Sequence, residues 1–288
     1  MFENYLATDE DFRAIEEGLR TVWKKELDFI FKNRNLIEDV VVISYDAKFL
    51  YLWTRIKLPR LKTFTSNLSN YHTYKIPHKI KIKDEWQTGW RAGLSIKQFN
   101  KLLSTRPQKS NFEIPKISGG LLTPFIELQK KKKVKNNPYI TRESFPATLV
   151  HEFGHIYWNQ HKLWWYSNKK ENLLYLKMAK QLYEQEEEIP KIPLYFPVNA
   201  GIGEIFAFCT EYWVSSVFWP KHQHNLDIFA QERLRRLTTK ERKKDLERED
   251  SVLEPNKNPH DFAFVFSKII LARYPKTWPQ KLLKKFIL

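Results

Sequence analysis

The segment His151-Glu152-Phe153-Gly154-His155 constrains this 288-residue chain more than any other. On an α-helix, residues four apart lie one above the other, so both imidazoles can reach a single metal ion. The flanking run supplies such a helix. Ser144 can cap it and Pro146 suits its first turn. Leu149, Val150, Ile156 and Trp158 give it apolar packing as far as about His161. Glu152, beside the first histidine, is placed to act as general base toward a water polarised by the ion. The pattern points to zinc, which acidifies that water and polarises a carbonyl.

A catalytic zinc takes three protein ligands and leaves one position open, and two residues compete for the third place. His161 lies six residues after His155, a metzincin-like spacing. In that arrangement the chain turns sharply at a glycine, where this sequence has Trp158, and a methionine turn follows. The one later methionine, Met178, falls in a helical run. The other candidate is Glu204, in the run Glu204-Ile-Phe-Ala-Phe-Cys-Thr-Glu211-Tyr-Trp. Glu204 and Glu211 are nearly two turns apart and share one helix face. A carboxylate on an otherwise apolar face is costly unless it is paired or binds metal. One of the two therefore reads as ligand, and the other as a partner that orients a ligating histidine.

Composition narrows the remaining choices. Cys209 is the single cysteine, which excludes a cysteine-built zinc knot and an intrachain disulfide. Hydrophobic residues make up 42% and charged residues 28%, the balance of a globular chain with a sizeable core. No run of apolar residues is long enough for a membrane span, and the acidic start, Met1 to Asp11, lacks the pattern of a secretory signal. The expectation is a cytoplasmic protein without a membrane partner. Charge is uneven. Of the net +16, residues 55–135 contribute 19 basic and 4 acidic side chains, a net +15. Such a field draws an acidic peptide, nucleic acid or an anionic membrane surface, and Tyr71, Tyr74, Trp86 and Trp90 are interleaved with it.

Periodicity predicts a helix over Asp9–Lys32, capped by Thr8 with Asp11 three residues on, then strands at Val40–Tyr45, Phe49–Leu58, Lys79–Lys83 and Leu121–Leu128. In the second strand Leu50, Leu52, Thr54, Ile56 and Leu58 should face the core. A short helix is expected at Ser95–Leu103. The back half reads as helical: Ser144–His161, Glu171–Glu187, Gly201–Val217, Leu226–Leu237, Lys240–Arg248, Pro259–Ala272 and Trp278–Phe286. The expected organisation is α+β. A strand-containing subdomain with a small mixed sheet covers residues 1–140, and a mainly helical zinc-binding subdomain covers 141–288.

His-Glu-Phe-Gly-His followed some 50 residues later by Glu-x-Phe-Ala-x-x-x-Glu-x-Trp resembles the gluzincin metallopeptidases, in particular the Mlc titration factor A and anthrax lethal factor groups. The resemblance covers about Ser144 to Pro220. It implies a zincin-like fold and a zinc-dependent peptidase, an endopeptidase acting on peptide or protein substrates. His151, His155 and Glu204 match the zinc ligands, Glu152 the general base, Ala207 the motif alanine and Glu211 the later glutamate. The chain departs from the lethal factor group in two places. Phe208 stands where that group has a glutamate one turn after the third ligand. Pro197 stands where its oxyanion-stabilising tyrosine would be. Tyr195 is the nearest substitute, with Tyr212, His222, His224 and His260 behind it. Two alternatives stay open: a basic, nucleic-acid-associated zinc protein or a protease acting beside DNA, and a metzincin-like site with His161 as third ligand.

Overall fold

The computed structural model describes residues 6–45, 48–58, 62–64, 66–77, 92–95, 143–161, 198–238, 267–268, 270–272 and 274–283. These form a mixed α/β structure. The chain divides into two compact units, Met1–Ile156 and Tyr157–Leu288, and the division falls inside a single helix. No helix among the described residues is long and apolar enough to cross a membrane.

In the first unit, helix α1 spans Asp9–Val22. Thr8 caps it reciprocally. Its hydroxyl accepts from the Asp11 N–H at 3.4 Å, and the Asp11 carboxylate accepts from the Thr8 N–H at 2.8 Å. Asp9, Glu10 and Asp11 also place negative charge at the positive end of the helix dipole. Ile15, Leu19 and Val22 form its buried stripe. The helix stops ten residues short of the expected Lys32. The Arg34 guanidinium donates to the carbonyls of Val22 (2.7 Å) and Lys24 (2.6 Å), and to Asp28 at 2.7 Å. These bonds take up carbonyls that a continuing helix would have used. Short 3₁₀ turns at Lys25–Leu27 and Arg34–Leu36 fill the remainder. Arg55 stacks 3.8 Å from the Trp23 ring centre, and the Trp23 indole N–H donates to the Tyr71 hydroxyl at 2.6 Å. Burial pushes the Tyr71 phenol well above its ordinary range, against the opposing effect of that bond.

Five strands follow: β1 Val40–Tyr45, β2 Phe49–Thr54, β3 Thr63–Phe64, β4 His72–Pro77 and β5 Ala92–Ser95. They lie in the order β3-β4-β2-β1-β5, and every pairing is antiparallel, where a mixed sheet was expected. β1 has its expected bounds. β2 ends at Thr54, and Ile56, expected to face the core, is 40% exposed. As the central strand, β2 is buried on both faces: Tyr51 and Trp53 on one, Leu52 and Thr54 on the other. Phe12 of α1 lies edge-on to Tyr51 at 4.9 Å, and the Trp53 indole donates to Ser44 across the β1 pairing at 3.1 Å. β3, β4 and β5 were not anticipated. β3 is only two residues long, β4 ends at Pro77 and β5 contains Gly93, so pairing partners decide their state. Ser95 closes β5 rather than opening a helix. The expected elements at Lys79–Lys83, 96–103, Leu121–Leu128, Glu171–Glu187 and Lys240–Arg248 lie outside the described residues.

Helix α2, Ser144–Gln160, carries the His-Glu-Phe-Gly-His run close to its expected bounds. In the first unit α1 meets it at Gly18. A Cβ at that position would lie 2.5 Å from Leu149 Cδ2 and 3.0 Å from Leu149 Cβ. A glycine is required here for close approach, and the contact lies two residues before His151.

In the second unit, α3 spans Val198–Phe218, α4 Pro220–Thr238 and α5 Trp278–Leu283. Pro220 opens α4, a position that needs no N–H donor. α3 is buried on nearly every side, with Ile205 to Tyr212 all inaccessible. Such a helix belongs to the interior rather than to an amphipathic surface. Ser267 donates to the Ile205 carbonyl at 3.1 Å, and the Cys209 thiol donates to the Ser267 carbonyl at 3.6 Å. Burial pushes the Cys209 thiol far up, so it is a packed, unreactive group.

The contact of Gly18 with Leu149 can be tested by a double-mutant cycle. Gly18→Ala should destabilise by about 1–3 kcal/mol through overpacking, despite the better helix propensity of alanine. On a Leu149→Ala background the same change should cost clearly less. Equal effects in both backgrounds, read from urea denaturation, would contradict the contact.

Candidate metal centre

Among the described residues, His151, His155 and Glu204 form one group able to hold a metal ion. One ligand atom from each lies within 4.8 Å of the others. Helix periodicity brings the two histidines together. Their Nε2 atoms are 3.1 Å apart, with the rings nearly perpendicular. Two such nitrogens repel unless a proton or a cation lies between them. Two ligands about 2.0–2.1 Å from a tetrahedral ion are about 3.3 Å apart, close to the observed spacing. The donor set of two imidazoles and one carboxylate suits zinc, so the residues fit the ion that the sequence implies. His151 is buried, while Glu152, His155 and Glu204 are half-buried.

Glu204 reaches this group across 48 intervening residues. Contacts inside the second unit show how its helix is held. Phe206, two residues after Glu204, stacks on Tyr157 at 6.0 Å and lies 5.7 Å from Trp158 and 5.1 Å from Trp278. Tyr157 and Trp158 form the last turn of α2, just past His155. One aromatic cluster therefore joins the end of α2 to the segment of α3 that bears Glu204.

His161 stands outside the group. Its Nδ1 lies 2.8 Å from the Tyr157 carbonyl and its ring packs on Tyr157 at 4.6 Å, so it closes the end of α2. Glu211 is 1% exposed, and its Oε1 lies 3.1 Å from Nε2 of His222, which is fully buried. Of the residues considered for oxyanion stabilisation, Tyr195 and His260 lie outside the described residues. Tyr212 is buried and donates to the Leu226 carbonyl at 2.8 Å. His224 is exposed on α4.

Two features were not anticipated from the sequence: the pairing of His222 with Glu211, and the role of Phe206 as the hub of the aromatic cluster. The signal available for the first was a carboxylate in an apolar helical run, with a histidine eleven residues after it at the start of the next helix. No protein-family model matches the chain, and no curated protein or solved structure shows significant similarity to it.

The arrangement distinguishes the two candidate third ligands. Glu204→Ala should lower zinc affinity by orders of magnitude, whereas His161→Ala should change it little. Zinc retained after dialysis against a weak chelator checks both. Retention in Glu204→Ala with loss in His161→Ala would reverse the assignment.

Proposed function

We propose that the protein is a zinc-dependent peptidase of gluzincin type, an endopeptidase that hydrolyses peptide bonds. The observation that carries this reading is the convergence of His151, His155 and Glu204, with Glu152 next in sequence to the first of them. Zinc held by these three side chains would supply a Lewis acid that polarises the scissile carbonyl and acidifies the attacking water.

The remaining work falls to residues of the chain. Glu152 takes the proton of the attacking water as general base, then delivers it to the departing amine as general acid. A half-buried carboxylate suits both steps, because it is neither fully solvated nor sealed from substrate. His151 and His155 would ligate through imidazole nitrogens, and Glu204 would contribute a carboxylate oxygen to the centre. The net +15 of residues 55–135 supports capture of acidic peptide segments, since a field of that sign raises the local concentration of anionic substrates.

Glu152→Gln tests the central role. The variant should fold and retain zinc, yet lose peptide hydrolysis by at least the ~10²–10⁴-fold that general base catalysis contributes. Near wild-type turnover of a cleavable peptide would refute the role. The charge argument has its own check. At low ionic strength acidic peptides should be bound better than neutral ones, and the difference should fade as salt shortens the screening length to a few ångströms, about 3 Å at 1 M. Equal binding at low salt would make the basic segment irrelevant to substrate.

A further inference from the structure

We infer that His222 is a positioning residue for the metal centre, acting through Glu211 to fix the face of α3 that presents Glu204; this rests on the metal-centre reading above. Glu211 lies seven residues after Glu204. The two carboxylates are therefore about 10 Å apart along the helix axis and about 20° apart around it. Whatever holds Glu211 in azimuth also holds Glu204. One holding contact is the 3.1 Å approach of His222 Nε2 to Glu211 Oε1, with side-chain exposures of 0% and 2%. A carboxylate only accepts hydrogen bonds, so the imidazole donates from Nε2. In so dry a place, a carboxylate deprived of this donor carries a large desolvation cost, so the pair resists rotation of α3.

The geometry of the hairpin supports the same conclusion. Tyr212, the next residue on α3, donates to the carbonyl of Leu226, one turn beyond His222 on α4. Two successive residues of α3 are thus tied to two successive turns of α4. The Tyr212 bond ends on a backbone carbonyl and joins the two helices. The Glu211 bond also sits on the same face as the candidate ligand. Full burial keeps His222 from touching a substrate, so its influence on the centre runs through Glu211.

Zinc affinity separates positioning from mere packing. It is to be measured by chelator competition on wild type, His222→Leu and His222→Gln, with thermal unfolding of the zinc-free proteins alongside. His222→Leu fills the space without a donor and should bind zinc about 10- to 100-fold more weakly. His222→Gln keeps an N–H near the place of Nε2 and should restore most of the affinity. If His222→Leu fails to fold, His222→Asn replaces it, because its amide is too short to reach Oε1 and the same weakening is expected. A leucine or asparagine variant that is less stable yet binds zinc as tightly as wild type overturns the inference and leaves the metal centre standing. A folded wild-type protein that binds no zinc overturns both.

Discussion

The contact on which the candidate site depends is the packing of Phe206 against Tyr157, Trp158 and Trp278. Two histidines on one helix are brought together by helix geometry alone. The third donor comes from a helix far along the chain, and its reach depends on side chains that fix the spacing of two helices. Tyr157 and Trp158 lie two and three residues after His155, and Phe206 lies two residues after Glu204. The aromatic cluster therefore places a rigid, fully buried clamp within one helical turn of each side of the donor group. Truncating a core phenylalanine commonly costs about 3–5 kcal/mol, so a clamp of this size fixes position as well as stability.

A second constraint acts on α3 itself. Its burial on nearly every side leaves few polar groups that can be accommodated, and several of those present have specific partners. Thr210 donates back to the Phe206 carbonyl at 2.9 Å, Glu211 meets His222, and Ser267 and Cys209 exchange bonds with the Ile205 and Ser267 carbonyls. Glu204 is the half-buried exception, and it is the residue that faces the histidines. A helix so committed to the interior holds its rotational setting, as a metal ligand delivered from a distant part of the chain requires.

The legible parts of the sequence were those governed by short-range periodicity. The α1 cap, the bounds of β1, the helix carrying His151 and His155, and the helices α3 and α5 follow from local patterns, whereas α4 opens at Pro220, six residues before the expected Leu226. The placement of Glu204 and Glu211 on one helix face was equally readable from their spacing. What escaped notice depends on contacts distant in sequence. α1 stops at Val22 because Arg34 returns to cap it, and β3, β4 and β5 exist because neighbouring strands pair with them. Ile56 continues the alternation of β2 but lies beyond its last pairing. Gly18 lies inside the predicted first helix, and its close contact with Leu149 is visible only in the structure. His222 reads as a reserve candidate for oxyanion stabilisation, whereas the structure buries it against Glu211.

The central claim is that zinc is held by two imidazoles and one carboxylate. X-ray absorption at the zinc edge of the loaded protein tests it most directly. The account predicts about one zinc per chain, a first shell of nitrogen and oxygen only at about 2.0–2.1 Å, and multiple scattering from two imidazoles. Failure to bind zinc stoichiometrically, a sulfur neighbour at about 2.3 Å, or scattering from three imidazoles would contradict it.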